Sequence, residues 1–141
     1  MDENCLEIRE FTGEGYKPLI DYGQWRVAFL RYLDELLAEH IERMERHLET
    51  DEVFVLLQGR AVLLLGGNGA GLDGAHPQPM QGGKLYNVKR NAWHAVLLSR
   101  DATILLVENC DTGEQNTEYT DLSARQRRQI VDLARGEQIQ A

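Results

Sequence analysis

Short blocks of apolar residues, separated by turn-forming residues, dominate the middle of the chain. The stretches DEVFVLLQGRAVLLL and KLYNVKRNAWHAVLLSRDATILLVENC are rich in Val, Leu and aromatic residues, which favour strands. Gly, Asn, Ser and Asp interrupt them, and QGR and SRDA have the composition of hairpin turns. The pattern therefore predicts antiparallel strands at 52–58, 60–65, 84–89, 93–98 and 102–108.

Residues 66–83, between these two stretches, are dense in Gly, Pro, Asn and Gln and are predicted to form a loop. This segment contains GAGLDG at 69–74, which fits the G-x-G-x-x-G pattern of dinucleotide sites. A helix must follow such a phosphate-binding turn, but the prolines and glycines of AHPQPMQGG oppose one here. No nucleotide cofactor is therefore expected.

Residues 25–44 are compatible with two structures. Apolar residues recur there at helical spacing, and periodicity alone favours a helix. The stretch WRVAFLRYL, however, also has the β-branched and aromatic content of a strand. The residues with helical spacing are Trp25, Phe29, Leu33, Leu36, Leu37, Ile41 and Met44.

The C-terminal region has the pattern of a helix at about 124–135. The sequence SARQ is a capping box, in which Ser123 is the N-cap and Gln126 reaches back from the third helical position. We expect this helix to pack against the outside of the strands. Its apolar stripe and its stop are Ile130, Val131, Ala134 and Gly136.

Charge and composition exclude some classes of partner. A net charge of -8 argues against nucleic acid or anionic lipid, because clustered Lys and Arg bind both. The longest apolar runs are far shorter than the roughly 20 residues of a membrane-spanning helix, and MDENCLEIRE lacks the features of a secretion signal. We expect one cytoplasmic domain, 1–141, with Cys5 and Cys110 as free thiols.

Residues with metal-binding or proton-transfer chemistry are grouped around the first predicted strand. Glu45 and His47 are two positions apart, so on a strand both side chains point to one face. Glu52 begins the next strand, Gly59 ends it, and His94 follows about 35 residues later. Two imidazoles with two carboxylates could hold a divalent first-row ion.

This arrangement resembles the cupin superfamily, whose two motifs have the forms G-x5-H-x-H-x(3,4)-E-x6-G and G-x5-P-x-G-x2-H-x3-N. His47, Glu52 and Gly59 match the second histidine, the acid and the closing glycine of the first motif. His94 matches the histidine of the second motif, and Glu45 stands where the first motif has its first histidine. Other motif positions are replaced by His40, Lys89, Asn91 and Leu98.

The resemblance implies a mainly β fold, a cupin-type antiparallel β-barrel or jelly roll with a C-terminal helix. The barrel core would cover about 25–110, with a strand at 25–32, a turn at DELLAEH and a second strand that runs into His47. The resemblance also implies a homodimer. A barrel of this size leaves a pocket for one small ligand.

The same resemblance implies a site for Fe, Mn or Zn at Glu45, His47, Glu52 and His94. In the alternative, the pocket holds no metal, Glu52 fixes the tautomers of both histidines, and Glu45 faces solvent beside Arg43 or Arg46. Secondary predictions concern four further residues. Tyr86 could line the pocket mouth, Trp93 should point away from its neighbour His94, and His40 and His76 should be solvated.

Two functions follow from these expectations. The first is a metal-dependent enzyme that acts on a small polar metabolite, a carbohydrate derivative or an organic acid. The alternative is a non-catalytic, metal-free module that binds or senses a small molecule. A DNA-binding role is not expected, since the basic stretch ARQRRQIVDLAR is short and isolated.

Overall fold

The computed structural model describes residue 2 and residues 4–141. Within that part, strands account for most of the regular structure, and a helix follows the last strand. The strands are β1 (Gly15–Tyr22), β2 (Trp25–Arg31), β3 (Arg43–His47), β4 (Glu52–Gln58), β5 (Ala61–Leu65), β6 (His76–Pro79), β7 (Tyr86–Val88), β8 (His94–Leu98), β9 (Thr103–Asn109) and β10 (Thr117–Asp121), and the helix is α1 (Ala124–Gly136).

The described strands form two antiparallel five-stranded sheets. Sheet A has the order β1-β2-β9-β4-β7, and sheet B has the order β10-β3-β8-β5-β6. Side chains from both sheets meet in an inner core, for example Phe54 and Leu106 from sheet A with Leu63 and Leu98 from sheet B. The two sheets therefore enclose the space in which a ligand pocket can form.

The outer face of sheet B is covered as well. Val62 and Leu64 of β5 pack there with Ile130 and Ala134 of α1, while Ala61 and Leu63 join the inner core. The run AVLLL is apolar at every position because this strand is buried on both faces.

Helix α1 confirms the predicted capping box. The Ser123 hydroxyl accepts a hydrogen bond from the Gln126 N–H at 3.1 Å, and Gln126 Oε1 accepts one from the Ser123 N–H at 2.9 Å. The helix ends at Gly136, as expected. In the described residues, no helix is both long and apolar enough to cross a membrane.

The predicted strands in the middle of the chain are confirmed, with short shifts at their ends. The strand expected at 84–89 is reduced to Tyr86–Val88, and the one expected at 93–98 begins at His94. Gly59, in the QGR turn, has a φ of +75°, and a Cβ there would lie 2.7 Å from Ala102 Cα. Glycine is required at this turn for both reasons.

The helix that periodicity favours at 25–44 is wrong. β2 and β3 lie there, joined by two 3₁₀ turns at Asp34–Leu36 and Ala38–His40. β2 pairs with β1 on one side and β9 on the other, and apolar side chains occupy both of its faces, so their spacing imitates a helix. The strand, turn and strand implied by the cupin resemblance are confirmed.

Residues 66–83 are not entirely loop, because β6 lies within them. β6 pairs with β5 only and so forms an edge of sheet B. The Met80 N–H donates to Ala61 O, so by alternation the nitrogens of Pro77 and Pro79 face the open edge, where no hydrogen bond is lost.

β1 and β10 are two strands that the sequence pattern does not predict. β10 lies partly within ENCDTGEQNTEY, a polar stretch that composition assigns to a connection, yet it pairs with β3 along its whole length. Both strands are sheet edges. Edge strands carry polar residues, so composition alone does not separate them from loops.

Candidate functional site

A cavity of about 640 Å³ opens between the two sheets. Its walls come from both sheets, from the 3₁₀ turns that precede β3 and from the segment that precedes β10. The residues that bear carboxylate or imidazole groups at its base are Glu45, His47, Glu52, His94 and Glu108.

The strand register brings the four predicted site residues together. β3 pairs with β8 so that Glu45 lies directly opposite His94. Glu45 and His47 share one face of β3, as their spacing predicts, and Glu52 enters from the start of β4 in the other sheet. The site is therefore formed where the two sheets meet.

Glu52 occupies the centre of the cluster. Its Oε1 atom lies 3.2 Å from His47 Nε2 and 3.2 Å from His94 Nε2. Glu45 Oε1 lies 3.8 Å from the same two nitrogens. Glu52 is fully buried, whereas the Glu45 side chain is 41% exposed and so faces the open cavity.

The other ring nitrogens set the orientation of the two histidines. His94 Nδ1 lies 3.0 Å from Ala92 O, which can only accept, so Nδ1 donates and the Nε2 of the neutral ring has a free lone pair. His47 Nδ1 lies 3.0 Å from the Thr117 hydroxyl, which can donate or accept. Such backing contacts are typical of histidines that bind metal ions.

His94 Nε2 is buried without a hydrogen-bond partner in the described part of the chain. The residue is 3% exposed, and the carboxylate oxygen Glu52 Oε1 lies 3.2 Å from this nitrogen. Buried polar atoms are nearly always satisfied, so this nitrogen is a position at which an ion, a ligand or a water can bind.

The donor set fits a divalent ion. Around an ion with ligands at about 2.1 Å, neighbouring ligand atoms are roughly 3.0–3.4 Å apart, and the distances of 3.2 and 3.8 Å are close to that range. Glu45, His47 and His94 form one group of potential ligands, and His47, Glu52 and Glu108 form another, so neither group contains all four predicted ligands. Fe, Mn and Zn all accept imidazole with carboxylate.

Burial and mutual attraction shift the pKa values of the cluster. Burial lowers the pKa of His47 and His94, but contacts with Glu52 outweigh it and leave both pKa values raised. Burial raises the pKa of Glu52, but the two imidazoles hold it well below its ordinary value. Without an ion, the two imidazoles therefore take up protons more readily than free imidazoles do, and Glu52 is harder to protonate than a free carboxylate.

Glu108 was missed by sequence reasoning. It lies on β9, is buried, and accepts a hydrogen bond of 2.6 Å from the Tyr16 hydroxyl. Burial, followed by the charge of Glu52, raises the pKa of Glu108 to about 7. The available signal was alternation, since Ile104, Leu106 and Glu108 occupy one face of a buried strand.

Other predicted residues lie away from the base of the cavity. Tyr86 lies outside the cavity lining, and its hydroxyl accepts the Gln81 N–H at 2.9 Å. Trp93 points away from His94, as predicted, and packs in the outer core beneath α1. His76 is exposed beside Asp73, and His40 is an exposed residue at the cavity rim.

The GAGLDG segment has a structural role. Gly69 O accepts hydrogen bonds from the Trp93 indole N–H at 3.0 Å and from the Arg46 guanidinium at 2.8 Å. Arg46 also pairs with Glu118, and Arg43 lies over the Tyr119 ring. Both arginines thus contact groups other than Glu45.

No protein-family model matches the sequence, and no curated protein matches it significantly. Solved structures do match. A cupin-2 domain protein from Shewanella frigidimarina has a TM-score of 0.52 and 15% identity, with 70% of this chain and 84% of that chain covered. The chain has the cupin fold. The predicted fold class, a mainly β cupin barrel with a C-terminal helix, is confirmed.

Another structure with this barrel is Streptomyces Pac13 with uridine. It has a TM-score of 0.55 and 13% identity, and the match covers 81% of this chain and 84% of that chain. Pac13 is described as a nucleoside dehydratase. At this identity the likeness concerns the cupin barrel alone.

Proposed function

We propose that this cupin is a metal-dependent enzyme that acts on a small polar metabolite in the barrel cavity. The observation that carries the proposal is His94 Nε2, which is buried, lacks a hydrogen-bond partner among the described residues and lies between two carboxylates. An ion bound there would satisfy this nitrogen.

The proposed ligands are Glu45, His47, Glu52 and His94. An Fe, Mn or Zn ion held by them would polarise a substrate oxygen. Glu45 and Glu52 together balance the charge of a divalent ion, which favours harder ions and makes the centre a weaker Lewis acid than one with three histidines. Glu45 is the ligand most open to the cavity.

Glu108 and Tyr16 would act on the substrate beside the ligands. Both line the cavity, and the Tyr16 hydroxyl is 2.6 Å from Glu108 Oε1. The carboxylate can accept a proton from a substrate hydroxyl, and the tyrosine holds the carboxylate in position. The uridine bound to Pac13 supports the binding of a small polar ligand in a cupin barrel.

A metal-free binding or sensing module is the second candidate. It is favoured by the hydrogen bond of 3.2 Å between His47 Nε2 and Glu52, which already satisfies one of the two imidazoles. In this case His94 Nε2 would bind the ligand directly.

Elemental analysis of the protein, purified without a histidine tag, separates the two candidates. The enzyme proposal expects one first-row metal per chain, lost in both His47→Ala and His94→Ala. His76→Ala removes a surface histidine and is the matched control. No metal after incubation with Fe²⁺, Mn²⁺, Zn²⁺ and Ni²⁺ would exclude the proposal and leave the binding module.

The homodimer, the cytoplasmic location and the single domain over 1–141 stay predictions. Light scattering on the eluting protein tests the first, with twice the mass of the 16.1 kDa chain expected. A monomer at micromolar concentration would contradict it.

A further inference from the structure

The cavity is strongly acidic. The acids that line it are Glu35, Glu42, Glu45, Glu52, Glu108 and Glu114. Among the described residues of the lining, Arg43 is the one arginine or lysine, and its guanidinium already lies 3.9 Å from the centre of the Tyr119 ring. The lining thus offers many hydrogen-bond acceptors and little positive charge.

A bound ion does not reverse this balance. Glu45 and Glu52 would neutralise a divalent ion, so the loaded centre offers no net positive charge to an incoming anion. Of the other lining acids, Glu42 lies 3.8 Å from Arg127, while Glu35 and Glu114 outnumber Arg43. A concave site with low-dielectric walls concentrates this field, which repels anions and attracts cations.

The remaining walls suit an uncharged molecular body. Leu30, Phe54 and Leu106 from sheet A face Val96 from sheet B across the cavity. Apolar walls with a few convergent polar groups are typical of small-molecule sites. The buried His94 Nε2, for which the described chain provides no partner, is an independent indication that a ligand or ion belongs here.

We propose that the ligand of this cavity is a small molecule with hydroxyl or ammonium donors and no anionic group. The inference rests on the proposed function and narrows its substrate class: polyols, neutral carbohydrate derivatives and amines fit, whereas organic acids and phosphates do not. Carboxylates of the lining accept hydrogen bonds from the hydroxyl or ammonium groups of such a molecule, and the apolar walls contact its carbon skeleton.

The test uses pairs of small molecules that differ only in a carboxamide or a carboxylate. Each pair is titrated into Zn²⁺-loaded protein labelled at the valine methyl groups, because Val96 lines the cavity and Val131 of α1 packs in the outer core. Carboxamides should shift the Val96 signal and bind about 10-fold or more tightly than their carboxylates. Carboxylates that bind equally or better, or no Val96 shift with any pair, would overturn the proposal.

A charge variant tests the cause of the selectivity. The double variant Glu35→Gln, Glu114→Gln removes two exposed acids of the cavity rim. It should reduce the ratio of carboxamide affinity to carboxylate affinity within each pair at least about 3-fold. Glu10→Gln with Glu14→Gln removes the same charge from exposed sites outside the cavity and should leave it unchanged. If the two double variants change this ratio equally, the acids of the cavity are not the cause of the selectivity.

The same samples separate this inference from the proposed function. Zn²⁺ content is measured before each titration. Protein that takes up no Zn²⁺ refutes the metal-dependent enzyme, while the preference for carboxamides, which needs only the acidic lining, is still read from the Val96 signal.

Discussion

Glu45 stands where the cupin motif has a histidine, and two substitutions test whether it is a metal ligand. Glu45→Ala removes one of the four proposed ligands, and Glu45→His restores a nitrogen donor at the same position. Glu45 Oε1 is 3.8 Å from both imidazole Nε2 atoms, so it is within reach of an ion that the two histidines hold.

The expected magnitude follows from the place of Glu45 in the cluster. Loss of a group that only supports a ligand typically weakens metal binding about 10–100-fold, so loss of a ligand should cost about 100-fold or more, roughly 2.7 kcal/mol. Glu45→His should bind the metal ion within about 10-fold of the native chain or more tightly, because an imidazole nitrogen replaces the carboxylate oxygen as donor. The loss of one negative charge opposes this gain.

Competition with a fluorescent chelator gives the dissociation constant for Zn²⁺ and Mn²⁺ in each variant. Glu118→Ala is the control, because its carboxylate pairs with Arg46 on the surface and such pairs contribute about 0–1 kcal/mol. If Glu45→His binds no better than Glu45→Ala, Glu45 is not a ligand. If both bind like the native chain, the site does not use this position at all.

Three further predictions concern pH, a turn and the helix. Metal affinity should rise between pH 6 and pH 8, because the raised pKa values of His47 and His94 mean that the ion must displace their protons; an affinity independent of pH over this range would contradict the histidine ligands. Gly59→Ala should lower the free energy of unfolding by about 1–3 kcal/mol in urea titrations, because its φ is +75° and Ala102 is too close for a Cβ; a loss below about 0.5 kcal/mol would show that the turn relaxes freely. Ile130→Ala should lower the same free energy by about 2–5 kcal/mol, since Ile130 of α1 is buried against sheet B, and an unchanged value would mean that α1 does not cover sheet B.

The four motif residues could be located from the sequence because their spacing reflects strand geometry. Glu45 and His47 share a face of β3 by simple alternation, and the closing Gly59 marks a turn that excludes a Cβ. His94 required the second motif, because its position opposite Glu45 depends on long-range pairing of β3 with β8. Local patterns do not encode such a register.

The rest of the site could not be predicted in the same way. Glu108 belongs to no motif, and Tyr16 lies on an edge strand that composition does not reveal. They meet because β1, β2 and β9 are neighbours in sheet A, which places the Tyr16 hydroxyl 2.6 Å from Glu108. The error at 25–44 has a related cause: a strand with apolar residues on both faces has no period of two to detect.

The most direct test of the central claim is the location of the ion itself. Crystals of the protein soaked with Zn²⁺ or Mn²⁺ should give an anomalous difference peak in the cavity, about 2.0–2.2 Å from the Nε2 atoms of His47 and His94 and bound by carboxylate oxygen. A cavity without such a peak, or a peak bound only at surface residues such as His76 and Asp73, would contradict the account.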